Sequence, residues 1–170
     1  MKTVVLGDPP EVLISLIANR KRLGLDTHDE VWNGEYHMAP AARYEHAAVG
    51  SILAEVLGPL ARRLGLRPSL PFNLGDATDF RVPDMGIHRG KPAGVWIPTV
   101  AIVVEICSPN DESYAKFDFY FEHGVEEILI VDPAAKIVTW FRRKAAGFKG
   151  ASASEILEVT SAEISLALEW

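Results

Sequence analysis

The chain has 170 residues, 48% of them hydrophobic and 24% charged, which suits a single globular domain with its own core. A net charge of −6 and a pI near 5.4 argue against a broad, sequence-blind grip on nucleic acid. No apolar run approaches the roughly 20 residues that cross a bilayer, so no membrane partner is expected. The opening "MKTVVLGDPPEV" is broken by Gly7, Asp8 and the prolines after them, unlike a signal peptide. The single cysteine, Cys107, excludes an intrachain disulfide and fits a cytoplasmic location.

"PPEVLISLIANRKRLGL" predicts a helix that starts on prolines and closes at Gly24. "EVWNGEYHM" predicts a hairpin turning at Asn33-Gly34. "AARYEHAAVGSILAEVLGPLARRLGL" has apolar residues at Val49, Ile52, Leu53, Val56, Leu57 and Leu60. It reads as a long helix that Gly58-Pro59 should kink or divide. "RPSLPFNLG" and "DFRVPDMGIHR" then read as two strands joined around "GDAT", followed by the Gly- and Pro-rich loop "GKPAGVWIP".

"PTVAIVVEI" is a further strand, after which Asn110 or Asp111 is placed to cap a helix reaching Glu122, with Gly124 ending it. "VEEILIVD" and "KIVTWFRR" predict a hairpin around "PAA", and "SEILEV" and "ISLALEW" read as short closing strands. The expected fold is therefore α+β (mixed α/β), a mixed β-sheet flanked by helices. One domain over 1–170 would comprise an N-terminal helix and hairpin (1–40), a core (41–143) and C-terminal strands (144–170). Clusters at Arg20-Lys21-Arg22, Arg62-Arg63 with Arg67, and Arg142-Arg143-Lys144 read first as solvated element ends.

Glu105 lies inside an otherwise apolar strand. Alternation points Val103, Glu105 and Cys107 one way, and Val82, Asp84, Gly86 and His88 share a face of the preceding strand. If the two strands are antiparallel neighbours, Asp84 and Glu105 lie side by side. A divalent cation between them would relieve their repulsion, and magnesium is at home with one or two carboxylates, water and phosphate oxygens. Lys116, returning on the next helix, can orient a water or stabilise charge on a phosphorane-like transition state. Tyr120 lies four residues on along the same helical face. This set describes metal-assisted phosphodiester hydrolysis, although Asp84, Glu105 and Lys116 also suit a purely structural ion-pair network. Cys107 reads as packing.

Pro83-Asp84, "VVEICSP" through Glu105, Lys116 with Tyr120, and "GVEEILIVDP" occur in an order that resembles the putative restriction endonuclease family of the PD-(D/E)XK nuclease superfamily. "DEVWNGEYHMAP" and the helix near His46 resemble its N-terminal part, so the likeness covers nearly the whole chain. The resemblance implies a restriction-endonuclease-like core, a DNA substrate, and Mg2+ or Mn2+ held by Asp84, Glu105 and the carbonyl of Ile106. It also implies site roles for His46 and, behind it, Glu45 and Glu35. The superfamily pattern expects a lysine where Cys107 stands, and Lys116 would replace it from the helix.

The leading expectation is thus a metal-dependent DNA endonuclease, paired as a homodimer if it cuts both strands. A non-catalytic nucleic-acid-binding or regulatory module that retains the fold is the alternative. A hydrolase of another phosphate ester is a third possibility.

Overall fold

A computed structural model of the chain describes residues 3–5, 10–109 and 112–170. Its elements run β1 (Thr3–Val5), α1 (Glu11–Arg22), β2 (Glu30–Trp32), β3 (Glu35–Met38), α2 (Tyr44–Arg63), β4 (Arg67–Ser69) and β5 (Asn73–Gly75). There follow β6 (Phe80–Arg81), β7 (Met85–His88), β8 (Trp96–Ile97), β9 (Ile102–Ile106), a 3-10 turn (Ser113–Lys116) and α3 (Phe117–Glu122). The chain then continues through β10 (Glu127–Asp132), β11 (Ile137–Lys144), β12 (Gly147–Ala151) and α4 (Ser161–Ala167).

Two six-stranded mixed sheets form, ordered β1-β3-β2-β6-β5-β8 and β12-β11-β10-β9-β7-β4. Between β4 and β9 the chain changes sheet repeatedly, and each change passes a proline: Pro71, Pro83, Pro92 and Pro98. Proline has no N–H for a ladder and restricts the residue before it, so it ends pairing at these points. This corrects the expectation for "RPSLPFNLG" and "DFRVPDMGIHR": each stretch is two short strands in different sheets.

In the second sheet β9 pairs antiparallel with β7 and parallel with β10. Both faces of β9 are covered, which explains why its residues are apolar apart from Glu105. Ile102, Val104 and Ile106 join Leu53, Leu57 and Ala61 of α2 in one core. On the other face Val103 packs with Phe119, Tyr120, Ile128 and Ile130. Glu105 has the same parity as Val103, so it faces α3.

The Asn33-Gly34 turn forms as expected, with φ of 50° and 86° at its two residues, the backbone a two-residue hairpin turn requires. Helix α1 buries no residue; it is tied to the hairpin by Arg20, whose guanidinium donates to both oxygens of the Asp29 carboxylate at 2.8 and 2.7 Å. Arg20 therefore leaves the solvated cluster predicted for it. Helix α2 is not divided at Gly58-Pro59: Leu53 and Leu57 before the proline and Ala61 after it are all buried, and this packing holds the helix through it. The helix expected up to Glu122 forms as the 3-10 turn followed by α3, while its proposed caps, Asn110 and Asp111, lie outside the described residues.

The C-terminal strands expected over 144–170 are corrected more thoroughly. β12 forms at Gly147–Ala151, "SEILEV" is a turn region, and "ISLALEW" lies mostly in α4. A capping box explains the helix: Glu163 N donates to Thr160 Oγ1 at 3.1 Å, and Thr160 N donates to Glu163 Oε2 at 2.8 Å. Ile164 and Leu168, one turn apart, then enter the core beside Trp140. Among the described residues no helix is long and apolar enough to cross a membrane.

Candidate active site

Glu105 is only 3% exposed, on a strand whose other residues are all apolar and buried. A carboxylate in that setting requires compensation. It comes from the 3-10 turn and α3, whose helical spacing brings Lys116 and Tyr120 to the same place. Lys116 Nζ lies 3.0 Å from Glu105 Oε1, and the Tyr120 hydroxyl donates a short hydrogen bond to that same oxygen.

Burial pushes the Glu105 carboxyl up; Lys116 and the Tyr120 hydrogen bond oppose this, while Asp84 and Glu30 add to it, leaving it at about 7. Burial alone would depress the Lys116 ammonium, but Glu105 and Glu30 outweigh it and hold the group above its ordinary value. Burial, with the charges of Glu105 and Glu30, holds the Tyr120 phenol well above its own. Lysine and tyrosine are therefore both hydrogen-bond donors at neutral pH.

Asp84 sits in the bend between β6 and β7, immediately after Pro83. The antiparallel register pairs Met85 with Val104, so one step back sets Asp84 opposite Glu105. The Ile106 amide donates to Asp84 Oδ2 at 2.8 Å, and His46 Nε2 lies 2.9 Å from Asp84 Oδ1. A carboxylate only accepts, so Nε2 carries the proton of that contact. His46 Nδ1 is 3.3 Å from Ser108 Oγ, which joins the first turn of α2 to the chain just beyond β9. Asp84 thus stands at the end of the sheet, with His46 reaching it from the α2 side and Glu105 facing α3.

Lys116, expected to serve Asp84 and Glu105, has Glu105 and Glu30 as its carboxylate partners. Glu30 Oε1 lies 2.8 Å from Lys116 Nζ, and Glu30 is 3% exposed. The resemblance directed attention to Glu35 and Glu45, which are half-buried and exposed respectively, rather than to Glu30. Strand alternation holds the missed signal: Glu30 and Trp32 share a face of β2, so an acid accompanies a large aromatic on one side of that strand. Glu30 thus brings β2 to the cluster.

Cys107 is half-buried against the cluster of Leu74, Val103 and Phe119, as its packing reading expected. Among the described residues no three His, Cys, Asp or Glu side chains converge as a metal cage.

A putative nuclease belonging to DUF820 from Anabaena variabilis, a solved structure, superimposes with a TM-score of 0.67. It is 15% identical, and the match covers 82% of this chain and 90% of that one. That likeness shows a shared fold. No curated protein matches. The family described as "Putative restriction endonuclease" (Uma2) matches residues 21–170, taking in the Glu30 hairpin, α2 and every residue of the cluster. The chain therefore belongs to the Uma2 putative restriction endonuclease family.

Proposed function

We propose that this protein is a magnesium- or manganese-dependent endonuclease that hydrolyses DNA phosphodiester bonds at Asp84, Glu105 and Lys116. One observation carries the reading: the Lys116 ammonium lies 3.0 Å from the buried Glu105, delivered from the 3-10 turn while Cys107 occupies the strand position. The family's description supports nucleic acid as the substrate class.

The donor set fits a hard cation. It offers oxygen alone, from Asp84, Glu105 and the carbonyl of Ile106, and magnesium completes such a set with water. Lys116 and Tyr120 both meet Glu105 at Oε1, and its carboxylate would be one of the groups holding the ion. A divalent ion held by these residues would supply charge neutralisation for the scissile phosphate and would acidify water.

The remaining roles belong to this chain's own groups. Lys116, held protonated, is no general base; it donates to the attacking water or to a phosphate oxygen and stabilises charge as it develops. Tyr120 keeps its proton and fixes Glu105 in place. His46 and the Ile106 amide hold the two oxygens of Asp84. Buried donors placed in advance cost no reorganisation during reaction.

The test is cleavage of plasmid and linear DNA in magnesium by wild type and Glu105→Ala, purified in parallel. Activity should be present in the first and absent in the second. Equal activity in both assigns the cleavage to another site or to a contaminant. A folded wild type inactive on every DNA and RNA offered favours the non-catalytic module, and turnover of nucleotides alone favours another phosphate ester. A cytoplasmic location and a homodimer that cuts both strands belong to the same proposal.

A further inference from the structure

Lys116 approaches Glu105 from a helix, on a flexible four-carbon stem with rotatable donors. A single partner would leave that ammonium free to swing, and would make it compete with a cation for the Glu105 carboxylate. We propose that Glu30 is a positioning residue, whose fixed carboxylate sets the place of the Lys116 ammonium beside Glu105. This inference rests on the nuclease reading given above.

Glu30 is itself held from both sides. Val82 N donates to its Oε1 at 2.9 Å, and Trp32 Nε1 donates to its Oε2 at 2.7 Å. The Trp32 ring is in turn stacked on His37 at 4.6 Å and covered by the Arg81 guanidinium at 4.4 Å. Arg81 is fixed by Val31 O at 2.7 Å and by the Phe119 ring of α3 at 4.0 Å. Arg81 and Val82 lead directly into Pro83-Asp84. The segment that fixes Glu30 therefore also delivers the metal-ligand aspartate, and the two halves of the site share one support. A carboxylate buried to 3% exposure is costly where an apolar side chain would pack, and holding the lysine gives it a task.

The test compares wild type with Glu30→Gln, in otherwise native and Lys116→Ala backgrounds. Enclosed between two carboxylates, the Lys116 ammonium exchanges slowly with water and should give a 1H–15N correlation near neutral pH, identified by its loss in Lys116→Ala. Glu30→Gln should abolish that signal and slow magnesium-dependent DNA cleavage about 100-fold, the scale of a misplacement near 1 Å. In the Lys116→Ala background the same change should cost less than about twofold, because no lysine remains to be placed.

A signal that survives Glu30→Gln, or the same rate loss in both backgrounds, overturns the proposal: either result describes a merely structural acid. Should Glu30→Gln fail to fold, Glu30→Asp keeps the charge and shortens its reach. Partial loss of both signal and rate then supports the proposal, and wild-type values for both overturn it. A protein that cleaves no DNA overturns the nuclease reading and with it the clamp's catalytic purpose. Intact cleavage with a lysine signal indifferent to Glu30 overturns the clamp alone.

Discussion

Replacing Lys116 with methionine keeps most of the side-chain volume and removes the charge that serves two buried carboxylates. Glu30 and Glu105 are each 3% exposed, and the lysine is 7% exposed, so water screens the cluster little. Removing one partner of a buried pair costs about 3–5 kcal/mol. In a chain of this size that lowers the melting temperature by roughly 6–20 °C. The loss should depend on pH in a defined direction. Glu105, held at about 7, takes its proton in the folded state before the unfolded chain does, and so favours folding as pH falls from about 7 towards the unfolded value. Without Lys116 its carboxyl is pushed higher still. At pH 8 the wild-type Glu105 is charged beside Lys116, whereas in Lys116→Met it must either stay charged without that partner or take up a proton, so the penalty is largest there. At pH 5 Glu105 is neutral in both proteins, and only the Glu30 partnership is lost. Urea unfolding of both proteins at the two pH values should show a difference at pH 5 about half that at pH 8. A loss below about 1 kcal/mol, or one independent of pH, would refute the account of this cluster as a charge-compensated buried site.

His46→Ala removes one of the two groups that hold Asp84 and should slow cleavage about 10–100-fold, the usual effect of an outer partner of a metal ligand; single-turnover kinetics at saturating magnesium checks it. On the proposed function, the cleavage rate at subsaturating magnesium should fall about tenfold per pH unit below 7 and level off above it, because a cation would take the deprotonated Glu105. A rate profile across this range, with substrate held constant, measures that. Thr160→Ala breaks the capping box of α4 and should cost about 1 kcal/mol in denaturant unfolding, with little change in cleavage rate.

The sequence showed the core of the candidate site because Glu105 interrupts a run of apolar residues and Asp84 follows a proline. Helical spacing then sufficed to bring Lys116 and Tyr120 to one face. The hairpin was equally legible, since Asn33-Gly34 states its own backbone conformation. Glu30 was not, because its task depends on the first sheet meeting the 3-10 turn, and no local pattern encodes that meeting. Glu35 drew attention through resemblance, and it stands at the turn end of the hairpin, opposite Trp32. In "RPSLPFNLG" the apolar residues suggested one strand, while Pro71 marked where the chain leaves one sheet for the other. "ISLALEW" read as a strand, although the Thr160–Glu163 spacing before it and the Ile164–Leu168 pair carried the helix signal. At each of these places punctuation outweighed apolar pattern.

Magnesium titrated calorimetrically into the folded wild type and into Asp84→Ala tests most directly whether these carboxylates form a working centre. The account predicts a saturable heat in the wild type that is lost in Asp84→Ala while the variant remains folded. No binding up to millimolar magnesium in the wild type, or an unchanged heat in Asp84→Ala, would contradict it.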